Sequence, residues 1–115
     1  MRYMLLIHGD EKAWDALTPE QIAETMNAYY AYTDALQKSG KLVSGDELQP
    51  TNTAKLVRVD SGKTKVADGP YADIKEALGG YYLIEADSEA DAIEWAAKCP
   101  GAAHGAVEVR PVMVR

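Results

Sequence analysis

The stretch Arg2-Tyr3-Met4-Leu5-Leu6-Ile7-His8 is apolar on both sides of the strand it predicts. Successive side chains of an extended chain point in opposite directions. Tyr3, Leu5 and Ile7 therefore share one face, and Met4, Leu6 and His8 share the other. A strand wet on one side alternates apolar with polar, and this one does not, so both faces call for cover. Residues 81–86 repeat the pattern, with Tyr82 and Ile84 on one face and Tyr81 and Leu83 on the other.

Outward from these two strands the chain reads as β-α-β, hairpin, β-α-β. Residues 19–39 predict a helix: Thr18 as N-cap, Pro19 in the first turn and Gln21 completing a capping box. Ile22, Met26, Tyr29, Thr33 and Leu36 form its inward stripe, and Gly40 suits a left-handed C-terminal cap. A short strand at 41–45 ends in a Gly45-Asp46 turn. Residues 53–59 and 63–67 predict a hairpin around Asp60-Ser61-Gly62, placed at a sheet edge by Lys55, Arg58, Lys63 and Lys65. Tyr71, Ile74 and Leu78 give two turns of helical spacing that Gly79-Gly80 breaks. Ser88 caps a second helix to about residue 98, with Ala90, Ile93 and Ala97 inward, and Pro100-Gly101 stops it. Residues 106–114 form the last strand.

With the hairpin as an insertion, the order is the split βαβ pattern of ferredoxin-like α+β folds, in one domain over 1–115. Two helices cover one face of such an antiparallel sheet. The second apolar face predicts a homodimer, two sheets face to face in a dimeric α/β barrel.

The chain has 115 residues with 12 Lys and Arg against 18 Asp and Glu, a formal charge of −6. That balance argues against direct nucleic-acid binding and against an anionic membrane surface. The apolar run at the N-terminus is too short for a signal-peptide core or a membrane span, and the single cysteine, Cys99, suits a reducing compartment. The expected location is the cytoplasm.

The stretch 68–85, DGPYADIKEALGGYYLIE, carries Asp-Gly-Pro-aromatic, then Lys-Glu, then Gly-Gly-aromatic. It resembles the signature of the YCII-related, or DGPF, family. The start, MRYMLLIHGDE, and the end, VEVRPVMVR, are similar to the same pattern, so the resemblance covers nearly the whole chain. Tyr71 stands where the family usually has Phe, and His8 where Tyr is more usual. The resemblance implies a ferredoxin-like fold paired as a dimeric barrel. It also implies relatives of small enzymes, some with a His-Asp pair, and others associated with sigma-factor-type transcription genes.

Five residues are the nominated catalytic or binding groups. His8 shares its face with Met4 and Leu6; it reads either as a satisfied core residue or as a general base. His104, in the loop entering the last strand, is the other base. Asp68 reads first as a turn cap; as a functional group it would tune a base. Glu76, beside Lys75, reads as half of a surface pair or as an acid/base carboxylate. Arg110 shares a face with Glu108, two residues away, and either pairs with it or holds a substrate anion.

Cys99 lacks a basic setting beyond Lys98, no His-x-x-x-His or Cys-x-x-Cys spacing suggests a metal, and no glycine loop suggests a nucleotide. Tyr29, Tyr30 and Tyr32 read as core and interface material. The expected function is cofactor-independent acid/base chemistry on a small organic ligand. The alternative is a non-catalytic ligand-binding or regulatory module acting with a sigma-factor-type partner.

Overall fold

The computed structural model describes residues 1–115. Strand β1 (Arg2–Gly9) leads into a short helix α1 (Glu11–Asp15), the long helix α2 (Pro19–Lys38) and strand β2 (Leu42–Glu47). Strands β3 (Lys55–Asp60) and β4 (Lys63–Asp68) form the hairpin, and β5 (Ala77–Glu85) returns to the centre. Helix α3 (Glu89–Lys98), the single turn α4 (Gly101–His104) and β6 (Ala106–Pro111) complete the chain.

The main sheet is antiparallel with order β2-β5-β1-β6. Without the hairpin this is the ferredoxin-like arrangement, two split βαβ units with β1 and β5 central. Tyr3 lies opposite Ile84, and Leu5 opposite Tyr82 and Val109. These side chains meet Tyr32, Leu36, Ala92, Ala96 and Cys99 from the helices in one buried cluster. Tyr32 donates its hydroxyl to the Trp95 carbonyl at 2.7 Å, and its ring packs edge-on against Tyr82. No polar side chain is buried without a partner. No helix is long and apolar enough to cross a membrane.

Helix α2 forms as its caps predict. The Thr18 amide donates to the Gln21 side chain at 2.9 Å, the Gln21 amide donates back to Thr18 at 3.2 Å, and Gly40 takes φ of +76°. Elsewhere the expectations need correction. Residues 71–76 are not helical, and 77–80 belong to β5. A two-turn pattern cannot repay helix nucleation, whereas strand pairing is on offer: Leu78 pairs with His8 and Gly80 with Ile7 and Glu47. A side chain at Gly80 would stand 3.0 Å from the Asp46 carbonyl oxygen, so the glycine serves close strand approach, not helix termination. Gly45 and Asp46 lie within β2, not in a turn.

Helix α3 turns Ala92 and Ala96 inward, not Ala90, Ile93 and Ala97; Ile93 is half exposed. The bulk of Trp95, packed edge-on to Tyr32, sets that rotation. The hairpin is not an edge of the main sheet but a separate two-stranded one. Its root is pinned at the end of the sheet, where the Thr51 amide and hydroxyl both donate to Glu11 at 2.8 Å.

Candidate functional site

The helices cover one face of the sheet, and the other is open. Strand register assigns its occupants. Met4 lies between Leu83 and Arg110, Leu6 between Tyr81 and Glu108, and His8 between Leu78 and Ala106. Asp46 on β2 lies opposite Tyr81. The face is thus an apolar floor of Met4, Leu6 and Leu83 with polar groups on both flanks.

On one flank, His8 Nε2 stands 3.2 Å from Glu108 Oε1. The two are diagonal neighbours on adjacent strands, within reach of a long side chain. The other Glu108 oxygen accepts from Arg110 Nε at 3.1 Å and also from Nη2. Arg110 reaches it because residues two apart on a strand share a face. The guanidinium first, and His8 second, hold the Glu108 carboxyl below the usual carboxylate range. An ionised carboxylate only accepts hydrogen bonds, so it selects the His8 tautomer with hydrogen on Nε2. The basic lone pair then sits on Nδ1. On the other flank, the Tyr81 hydroxyl donates to Asp46 Oδ2 at 3.0 Å, which pushes the phenol pKa up.

The sign of the Glu108 effect gives a prediction. Its folded pKa lies below its unfolded one, so the pairing stabilises the fold above the unfolded pKa and is lost as pH falls through the folded value. Thermal unfolding of wild type and Glu108→Gln should therefore differ at neutral pH and converge as pH falls below the ordinary carboxylate range. A gap that persists unchanged into stronger acid would contradict this pairing.

Of the five nominated residues, the structure brings His8 and Arg110 together through Glu108. Glu76 comes near the backbone of His8 only: a Cβ built on Gly105 would stand 3.2 Å from its carboxylate and 2.2 Å from the His8 carbonyl oxygen. Asp68 lies elsewhere, exposed at the hairpin root and paired with Lys55. Its side chain accepts no backbone hydrogen bond from the Gly69-Pro70 turn that its motif suggests; the Gly69 amide instead extends the hairpin ladder, donating to the Ala54 carbonyl at 2.8 Å. His104 ends α4 and lines a groove with Tyr32, Trp95 and Pro100 on the helix side, so the two histidines do not share a pocket.

Cys99 is buried among the helices, and burial pushes its thiol pKa up. No three His, Cys, Asp or Glu side chains converge on a common point. Sequence reasoning paired Glu108 with Arg110 but missed its bond to His8, and it missed Tyr81 and Asp46. These contacts depend on cross-strand register, for which one strand read alone carries no signal.

The model of the YCII-related domain matches residues 1–114. The chain belongs to the YCII-related family. An uncharacterised protein of Rhizobium meliloti (strain 1021) is 35% identical over 114 residues, covering 97% of this chain and 92% of that protein. A solved structure, 5-chloro-2-hydroxyhydroquinone dehydrochlorinase from Burkholderia phenoliruptrix AC1100 in complex with 2,5-dihydroxybenzoquinone, superposes with a TM-score of 0.59. It is 15% identical and is matched over 98% of this chain and 94% of its own, which is a shared fold. The YCII-related sheet thus carries His8, Glu108 and Arg110 on the face its own helices leave bare.

Proposed function

We propose that this YCII-related protein is a homodimeric enzyme whose two open sheet faces enclose a site for proton transfer on a small organic molecule. The observation that carries the reading is the chain of contacts His8–Glu108–Arg110 on an otherwise apolar floor. His8 Nδ1 takes a proton from a C–H or O–H of the ligand, and the bonding pair stays on the ligand. The resulting imidazolium keeps its Nε2–H on Glu108, whose negative charge stabilises it. Arg110 fixes Glu108, and its remaining N–H groups face an anionic group of the ligand. Tyr81 and Asp46 offer a second polar contact across Leu6, and Glu76 at the rim is the further carboxylate. This chemistry calls on no cofactor.

Pairing is supported by surface area. A compact chain of 12.5 kDa exposes about 6,200 Å², whereas this one exposes 8105 Å². The excess is of the size that each protomer of a stable dimer buries. The buried free thiol of Cys99 suits the cytoplasm. On the same fold, the dehydrochlorinase holds a small ring compound, which supports an organic ligand here.

A thermal-shift screen of small organic acids tests the reading. A ligand that raises the melting temperature of wild type, but not of His8→Ala or Arg110→Ala, is the expected result. Hits that stabilise all three proteins equally would rule the site out.

A further inference from the structure

The two polar flanks of the open face differ in chemistry. Asp46, Tyr81, Leu6 and Glu108 stand in one row across β2, β5, β1 and β6, all on the bare side of the sheet. At the β6 end, Glu108 already engages Arg110 and His8. At the β2 end, Asp46 Oδ2 accepts from the Tyr81 hydroxyl at 3.0 Å. Asp46 Oδ1 has no donor in the chain, and no cationic side chain pairs with this carboxylate. A carboxylate without a partner is well served in water. Under a second sheet it needs a donor from somewhere.

The two ends therefore call for different groups on one ligand. A guanidinium only donates, so the Arg110 end takes an anion. A carboxylate only accepts, so the Asp46 end repels an anion and takes an O–H. The Tyr81 phenol, its pKa pushed up by Asp46, keeps its proton on that carboxylate and leaves Oδ1 to the ligand. Between the ends the floor is apolar: Leu6 in the same row, Met4 and Leu83 in the next. Strands β2 and β6 are three strand spacings apart, about 14 Å. A benzene ring with a carboxylate and a hydroxyl at opposite ends, hydrogen-bonded at both, spans about 12 Å. A flexible chain of that length would lose rotamer freedom on the floor, and a rigid ring has none to lose.

We propose that the site takes a ring acid with a hydroxyl group opposite its anionic group, and that Asp46 is the residue that selects the hydroxyl. This rests on the site proposed around His8, Glu108 and Arg110 and names its ligand class. Arg110 holds the anionic end beside His8, the ring lies on Leu6, and the hydroxyl donates to Asp46 Oδ1. An acid without the hydroxyl displaces water from that oxygen and returns no donor, so it is rejected by the cost of an unpaired acceptor.

Titration calorimetry with 4-hydroxybenzoate, benzoate and 5-hydroxypentanoate tests the assignment on full-length wild type, Asp46→Ala and Arg110→Ala, each checked for fold by circular dichroism. Wild type is expected to bind 4-hydroxybenzoate at least about tenfold more tightly than either of the others, the size of a hydrogen bond to a charged group. In Asp46→Ala the preference over benzoate is expected to fall below about threefold. Arg110→Ala is expected to weaken both ring acids. A smaller preference in wild type overturns the proposal, as does one that survives in Asp46→Ala, or a failure of wild type to bind any of the three. Two ring acids that bind wild type equally and are both lost in Arg110→Ala overturn this ligand class and leave the site around His8. Ring acids that bind Arg110→Ala as tightly as wild type overturn the site and the ligand class together.

Discussion

If the proposed homodimer closes the open face, replacing Leu6 by lysine is expected to leave a folded single chain. Leu6 sits at the middle of the open face, with Tyr81 on one side and Glu108 on the other. In the single chain a lysine there has water above it, and none of the core residues of the helix-covered face is disturbed. Between two sheets the same ammonium would be stripped of water. The nearest carboxylate, Glu108, is already engaged by Arg110 and His8. Each trapped charge costs several kcal/mol, and a two-fold pair holds two, so the dimer Kd should rise on the order of 1,000-fold or more. Unchanged circular dichroism with loss of the pair in sedimentation is the expected combination. A Leu6→Lys protein that pairs as tightly as wild type would show that this face is not an interface.

The second large effect concerns the base. His8→Gln keeps a polar side chain on the floor but offers no nitrogen that takes a proton near neutrality. For any ligand from the screen that wild type converts, the rate should fall about 100- to 10,000-fold, the range for losing a positioned general base. Binding should change far less, so the loss belongs in kcat and not in KM. Glu108→Gln keeps the shape but removes the negative charge that faces the imidazolium, and its loss should also appear mainly in kcat. If His8→Gln turned over ligand at the wild-type rate, proton transfer would have to start from another group, with Glu76 at the rim the next to replace.

Much of this architecture is legible in the order of residues alone, and the reason is periodicity. A period of two puts Tyr3, Leu5 and Ile7 on one side of β1 whatever the neighbours are, and those residues are the ones in or against the core. The Thr18–Gln21 capping box and Gly40 mark the ends of α2 through local bonds that involve no distant residue.

Partners far apart in sequence are a different matter. His8 and Glu108 meet because β1 and β6 align with Leu6 opposite Glu108, and a slip of one residue would turn Glu108 to the helix side. The same dependence hides the contact of Tyr81 with Asp46. Residues 71–78 mislead for the opposite reason. Their helical spacing is present, but tertiary pairing with β1 and β2 draws the second part of the segment into β5. In α3, alanines on several faces leave the periodicity almost silent, and the packing of Trp95 decides. Asp68 belongs to the family-like motif, yet it sits in an exposed ion pair with Lys55, so its place in the motif does not bring it to His8.

The claim on which the rest depends is that the open face is closed by a second copy. Sedimentation equilibrium of the wild-type protein at micromolar concentration tests it most directly. The expected result is a single species of twice the 12.5 kDa chain mass. A stable species of one chain mass at that concentration would contradict the account, leaving His8, Glu108 and Arg110 on a wet surface with no enclosed site to serve.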